Sequence, residues 1–236
     1  GAPRERPRGR AAADLTAVET HRATIEGAAG CVEIAYAIPA HPVAVAVVAH
    51  PHPLFGGTMD NKVVTTVAKA FADAGAAAFR FNFRGVGASE GRHDEGRGET
   101  DDFLEVAAHA RRAVGELPLW LAGFSFGGGV ALRASGLVDF ERLVLVAPAF
   151  RRITGHGLGE PPDPADPNLG APGRHTAANT IILHGDKDET TVLADSLGWG
   201  AVRDVPVLVV PGADHFFHRK LHVIRDVVGR LARPLP

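Results

Sequence analysis

Leu119-Trp120-Leu121-Ala122-Gly123-Phe124-Ser125-Phe126-Gly127-Gly128-Gly129-Val130-Ala131-Leu132 is the stretch whose reading decides the fold. The apolar run ending at Ala122 has the pattern of a buried strand, and Phe126 to Ala134 has that of the first turns of a helix, so Ser125 falls on the sharp turn between them. This is G-x-S-x-G in the setting it requires. The turn holds Ser125 in a strained backbone conformation, and a Cβ at Gly123 or Gly127 would collide with the neighbouring strand or helix. The hydroxyl is thereby pushed out at the carboxyl edge of a sheet.

Upstream, Val43 to Ala49 is a β-branched apolar run without polar alternation, as in a strand buried on both faces of a mostly parallel sheet. It leads into His50-Pro51-His52-Pro53-Leu54-Phe55-Gly56-Gly57. Asp60 is expected to cap a helix with Val63, Val64, Val67, Ala68 and Phe71 on one face and Gly75 at its end. A second buried strand, Ala76 to Phe83, runs into Arg84-Gly85-Val86-Gly87-Ala88-Ser89-Glu90-Gly91, and a helix is expected from about Asp101 to Val114. Before all of these, Ala23 to Ile25 and Val32 to Ile38 suggest an antiparallel edge hairpin.

Downstream, strands are expected at Leu143 to Ala147, Thr180 to Leu183 and Val205 to Val210, with helices at Val192 to Leu197 and Arg219 to Leu231. The alternation is that of a wound α/β sheet, not of a barrel or sandwich. Residues 151–179, rich in Pro and Gly, break the rhythm and read as a long loop and not a helical cap domain. Residues 1–13, with four arginines, read as a disordered or expression-derived tail, which leaves 14–236 as a single domain.

Composition narrows the function classes. The chain has 236 residues, 45% of them apolar, and a formal net charge of −2, so it can bury a sizeable core and carries no excess charge for nucleic acid or a membrane surface. The longest apolar run falls far short of the roughly 20 residues of a membrane-spanning helix. Cys31 is alone, which rules out an intrachain disulfide, suits a reducing compartment and gives the expectation of a cytoplasmic protein.

A serine hydroxyl needs a histidine to take its proton and a carboxylate to orient that histidine. Loops after later strands supply both residue types: His184-Gly185-Asp186-Lys187-Asp188-Glu189, then Pro211-Gly212-Ala213-Asp214-His215-Phe216-Phe217-His218. With Ser125 they stand in the order Ser, Asp, His.

These motifs together resemble the α/β-hydrolases, above all the small, cap-poor, dienelactone-hydrolase-like branch. The likeness rests on His50-Pro51-His52-Pro53-Leu54-Phe55-Gly56-Gly57-Thr58-Met59-Asp60-Asn61-Lys62, on Gly123 to Gly128, and on Gly212 to His218, and it runs from about Val43 to His222. It implies an α/β-hydrolase fold without a helical cap. It further implies Ser125 as nucleophile, His215 as general base and Asp188 as the acid that orients it, by the HG-x-x-D spacing. Asp186 is the alternative acid, although an acidic turn residue more commonly accepts backbone N–H bonds in its own turn.

Two backbone N–H groups should bind the oxyanion, one from Phe126 and one from the loop after Val43 to Ala49. Pro51 and Pro53 have no N–H, which leaves His52 or Leu54, and the resemblance favours His52. Arg84 is expected to brace neighbouring loops. Phe55, Phe124 and Phe217 are candidates to line an apolar acyl pocket. The expected reaction is cleavage of small-molecule carboxylic esters through an acyl-serine, without a cofactor; thioesters or amides would be cleaved by the same groups.

Other classes fit less well. His50 and His52 form H-x-H, and His215, His218 and His222 would share a helix face if that helix began early, which raises a metal-dependent hydrolase. Leu54 stands where a third, carboxylate ligand would be, however, and H-E-x-x-H is absent, so no metal is expected. Gly85-Val86-Gly87 lacks the third glycine of a dinucleotide site, and Gly127 to Gly129 is not followed by Lys-Ser or Lys-Thr. A non-catalytic protein on the same fold is set against by the intact Ser, Asp and His set.

Overall fold

In the computed structural model, residues 18–154 and 174–232 are described. The expected tail at 1–13 and most of the expected loop at 151–179 lie outside them.

The order of elements is β1 (His21–Gly27), β2 (Gly30–Ala37), β3 (Ala44–Ala49), a 3-10 turn (Pro53–Phe55), α1 (Lys62–Asp73), β4 (Ala76–Phe81), α2 (Arg97–Val114), β5 (Leu119–Phe124) and α3 (Phe126–Ser135). There follow β6 (Arg142–Val146), α4 (Phe150–Thr154), β7 (Thr180–Gly185), α5 (Leu193–Arg203), β8 (Val207–Val210) and α6 (Leu221–Ala232). The strands form a single sheet in the order β1-β2-β4-β3-β5-β6-β7-β8. From β4 through β8 every pairing is parallel, and the β1–β2 hairpin adds to β4 antiparallel, as the amino-terminal runs suggested. This is an α/β-hydrolase fold.

The alternation of side chains along each strand divides the core into two unequal layers. Val45 and Val47 of β3, Phe79 and Phe81 of β4, and Leu119 and Leu121 of β5 point to one face and meet Phe103 and Val106 of α2 and Val130 of α3. Ala44, Ala46, Ala76, Ala78 and Ala122 point to the other, where α1 and α6 pack with Val64, Phe71, Ile224 and Val228. Small residues on that face let the two helices lie close to the sheet. Because β3, β5, β7 and β8 run parallel, the loops that follow them leave from one edge of the sheet.

Several boundaries differ from expectation. The cap of α1 is Asn61, whose Oδ1 accepts the Val63 N–H at 2.9 Å, because Asp60 is held by Arg22 at 2.7 Å and Arg80 at 3.0 Å. Helix α2 starts at Arg97, not near Asp101: the buried Glu99 carboxylate accepts the N–H groups of Gly96 at 2.7 Å and Asp94 at 2.9 Å and stabilises an earlier first turn. Helix α5 runs on to Arg203 because Trp199 and Gly200 pack inward beyond the expected end at Leu197. The loop expected from 151 opens instead with the helical turn α4, tied to α5 by Arg151 Nε donating to Asp195 Oδ2 at 2.6 Å.

Candidate active site

Ser125 is the junction of β5 and α3 and has φ 56° and ψ −119°, a conformation L-residues avoid at a cost of about 1–3 kcal/mol. Its backbone is pinned against relaxation: its N–H donates to Val146 O at 2.9 Å, and its carbonyl accepts from Gly128 at 3.0 Å and Ala149 at 2.9 Å. A Cβ on Gly123 would fall on the Gly127 carbonyl, and one on Gly127 on the carbonyls of Ala49 and His50. The glycines therefore allow the elbow to sit directly on the end of β3.

His215 and Asp188 reach the same point from the loops after β8 and β7. Asp188 Oδ2 lies 2.7 Å from His215 Nδ1, and His215 Nε2 lies 3.0 Å from Ser125 Oγ. A carboxylate only accepts, so Nδ1 carries the proton and donates to Asp188, which leaves Nε2 to accept from the serine hydroxyl. Ser125 and His215 are nearly buried, at 6% and 5% exposure.

Asp188 is held on every side. Its Oδ1 accepts the N–H groups of Thr190 and Thr191, each at 2.8 Å, and its Oδ2 accepts the Thr191 hydroxyl at 2.8 Å as well as His215. Burial acts to raise its carboxyl pKa, but the bonds from His215, Thr191 and Thr190 together outweigh burial and hold it below the ordinary value. The fully buried His184 backs this loop, with Nδ1 2.8 Å from Ser196 Oγ and Nε2 3.3 Å from Thr191 O. Asp186 is elsewhere engaged: it accepts the Gly212 N–H at 2.6 Å, clamping the β7 loop to the β8 loop and not, as expected, capping its own turn.

The loop after β3 folds against the elbow. The His52 ring packs on Phe126 at 4.7 Å, and His52 Nδ1 accepts the Leu54 N–H at 3.2 Å, which starts the 3-10 turn. Of the two donors left open by sequence, Leu54 is thus already committed. The backbone N–H groups of Phe126 and His52 have no acceptor among the described residues. His50 bridges loops: its Nδ1 donates to Pro51 O at 2.6 Å and its Nε2 accepts the Phe83 N–H at 3.0 Å, with burial pushing its pKa down to about 4. His52 is likewise lowered to about 4, by burial first and then by His93 and Arg152.

The aromatic candidates separate into two kinds. Phe124 and Phe217 have no exposed surface and belong to the core under α1 and α6, so they offer no wall to a ligand. Phe55 is 72% exposed on the 3-10 turn, with the Arg152 guanidinium 5.2 Å over its ring. Arg84 does not brace neighbouring loops as expected: its guanidinium pairs at 2.8 Å with the buried Asp102 and so ties the loop after β4 to α2.

The histidine face considered for a metal does not form, because α6 begins only at Leu221. His218 faces Asp214 instead, at 2.6 Å. Among the described residues no group of three or more His, Cys, Asp and Glu side chains is arranged to hold a metal ion, and no helix is long and apolar enough to cross a membrane.

Sequence reading overlooked Thr191, His184 and Phe216. The first two follow from the HG-x-x-D loop once it is drawn as a closed turn; Phe216 carries no such signal.

A family model described as serine aminopeptidase, S33, matches residues 41–162. An uncharacterized protein of Rickettsia prowazekii is 32% identical over 211 residues, which cover 82% of this chain and 81% of that one. Among solved structures, an α/β serine hydrolase without a lid from Xanthomonas campestris superposes with a TM-score of 0.79 at 33% identity, over 92% of this chain and 97% of the other. An α/β serine hydrolase homologue from Coxiella burnetii gives 0.73 at 32% identity, over 89% and 96%.

Proposed function

Because the chain belongs to the α/β serine hydrolases of the family described as serine aminopeptidase, S33, we propose that it cleaves carboxylic esters through an acyl-serine intermediate. The observation that carries this reading is the relay Asp188–His215–Ser125, with contacts of 2.7 and 3.0 Å ending on a serine held at φ 56°.

Ser125 Oγ attacks the ester carbonyl as His215 Nε2 takes its proton. The tetrahedral oxyanion turns toward the Phe126 and His52 N–H groups, which are without another acceptor among the described residues, and each such bond lowers the barrier by roughly 3 kcal/mol. Asp188 holds the Nδ1–H tautomer and stabilises the imidazolium. His215 then gives its proton to the departing alcohol, and a water activated by the same imidazole hydrolyses the acyl-serine. The steps run on side chains and backbone alone and call for no cofactor.

The family's description favours amide cleavage as the second reading, since the same groups would protonate an amine. Matched p-nitrophenyl ester, thioester and p-nitroanilide substrates of one acyl group test the choice. Ester turnover far above anilide turnover is expected; the reverse order would replace esterase by amidase.

A further inference from the structure

We propose that Phe216 walls a subsite for the alcohol portion of the ester, and that the preferred substrates are esters of apolar, alkyl or aromatic, alcohols. This rests on the ester-hydrolase reading above and goes beyond it in saying which half of the substrate is recognised, and by what.

In acylation Ser125 Oγ bonds the carbonyl carbon and the bond from that carbon to the alcohol oxygen breaks. The proton that His215 Nε2 took from the serine goes to that oxygen, and a neutral alcohol leaves. The alcohol oxygen must therefore lie against His215 Nε2. Its substituent must lie against whatever adjoins the imidazole. Two rings do: Phe124 at 4.9 Å and Phe216 at 5.1 Å, the latter edge-on at 80°. Phe124 has no exposed surface, whereas Phe216 is 47% exposed. Phe216 is thus the neighbour that can meet a substrate group.

The exposure is built in. Phe217 N–H donates to Asp214 O at 3.1 Å, His218 N–H donates to Asp214 Oδ1 at 3.0 Å, and Phe217 itself has φ 53°. That left-handed residue turns its own ring into the core, where it is fully buried. The interior position is occupied, so the Phe216 ring is left outside, resting on His215, Phe124 and His218. An aromatic surface already packed on three rings beside the proton donor suits apolar recognition. The exposed Phe55 reaches the elbow through His52 and Phe126 rather than through His215, and is left to the acyl group.

The test compares acetate esters of methanol, butanol, hexanol and benzyl alcohol on the wild type, Phe216→Ala, Phe216→Leu and Ser125→Ala, read as kcat/KM by acid release. A second series varies the acyl chain of p-nitrophenyl esters. In the wild type kcat/KM rises with alcohol size; in Phe216→Ala the hexyl-to-methyl ratio falls by about tenfold while acyl-chain preference keeps its wild-type order, and Phe216→Leu restores most of the ratio. A flat wild-type alcohol series, or equal loss on every ester in Phe216→Ala, overturns the subsite while leaving the serine mechanism standing. Equal hydrolysis by wild type and Ser125→Ala overturns the serine mechanism itself, and the subsite with it.

Discussion

Asp188 Oδ2 and His215 Nδ1, on the loops after β7 and β8, lie 2.7 Å apart, and this contact fixes which imidazole nitrogen faces Ser125. An asparagine at 188 can present its N–H2 to Nδ1 and select the opposite tautomer. Asp188→Asn should lower kcat by about 10⁴-fold. Asp186→Asn, which disturbs the bond to Gly212 and the exposed pair with Lys187, should cost less than about threefold. Initial rates on p-nitrophenyl acetate check both; the reverse ranking would make Asp186 the orienting acid.

The elbow glycines are predicted to be irreplaceable for steric reasons. Gly123→Ala would drive its methyl into the Gly127 carbonyl, backbone that cannot move aside, at a cost of roughly 3 kcal/mol or more. Gly198, inside α5 with nothing within 4 Å of an added Cβ, should behave oppositely, and Gly198→Ala should stabilise by about 0.5–1 kcal/mol. Urea midpoints of the two variants should move in opposite directions.

Phe126 contributes its N–H whatever its ring does, so Phe126→Ala should keep much of the chemistry that Ser125→Ala removes. The ring is 1% exposed and packs on His52, Phe83 and His93, so the same variant should lose about 3–5 kcal/mol of stability. Rates measured below its unfolding temperature separate the two effects. A kcat loss as large as that of Ser125→Ala in folded protein would count against the backbone role.

His50 makes stability depend on pH. Its folded pKa, about 4, lies below the unfolded value of about 6.5, so between these the unfolded chain binds the proton and the folded one does not. Stability is therefore lost as pH falls through that window, by up to roughly 3 kcal/mol from this residue. Burial lowers His52 and His184 as well, which adds to the same trend. Urea unfolding at pH 7.5, 6, 5 and 4.5 should show the decline, and a flat profile would contradict it.

How much of this was legible in the sequence depended on how local the cause was. The elbow was readable because glycines either side of Ser125 have a steric reason that five residues contain. The parallel sheet was readable because unalternating runs such as Val43 to Ala49 have few other uses. The cap of α1 was not, since Asp60 and Asn61 are both good caps and the choice was made by Arg22 and Arg80, distant in sequence. Similarly, nothing in Phe216-Phe217 says which ring turns inward; that follows from the left-handed turn at Phe217 and the Asp214 bonds that hold it.

The central claim is that Ser125 becomes acylated, and pre-steady-state hydrolysis of p-nitrophenyl acetate followed by intact-mass measurement tests it most directly. The wild type should release a burst of p-nitrophenol matching its active-site concentration and gain one acetyl group at Ser125. Ser125→Ala should show no burst, no adduct and a kcat lower by about 10⁶-fold. A Ser125→Ala protein that still bursts, or a wild type that turns over with the acetyl group on another residue, would contradict the account.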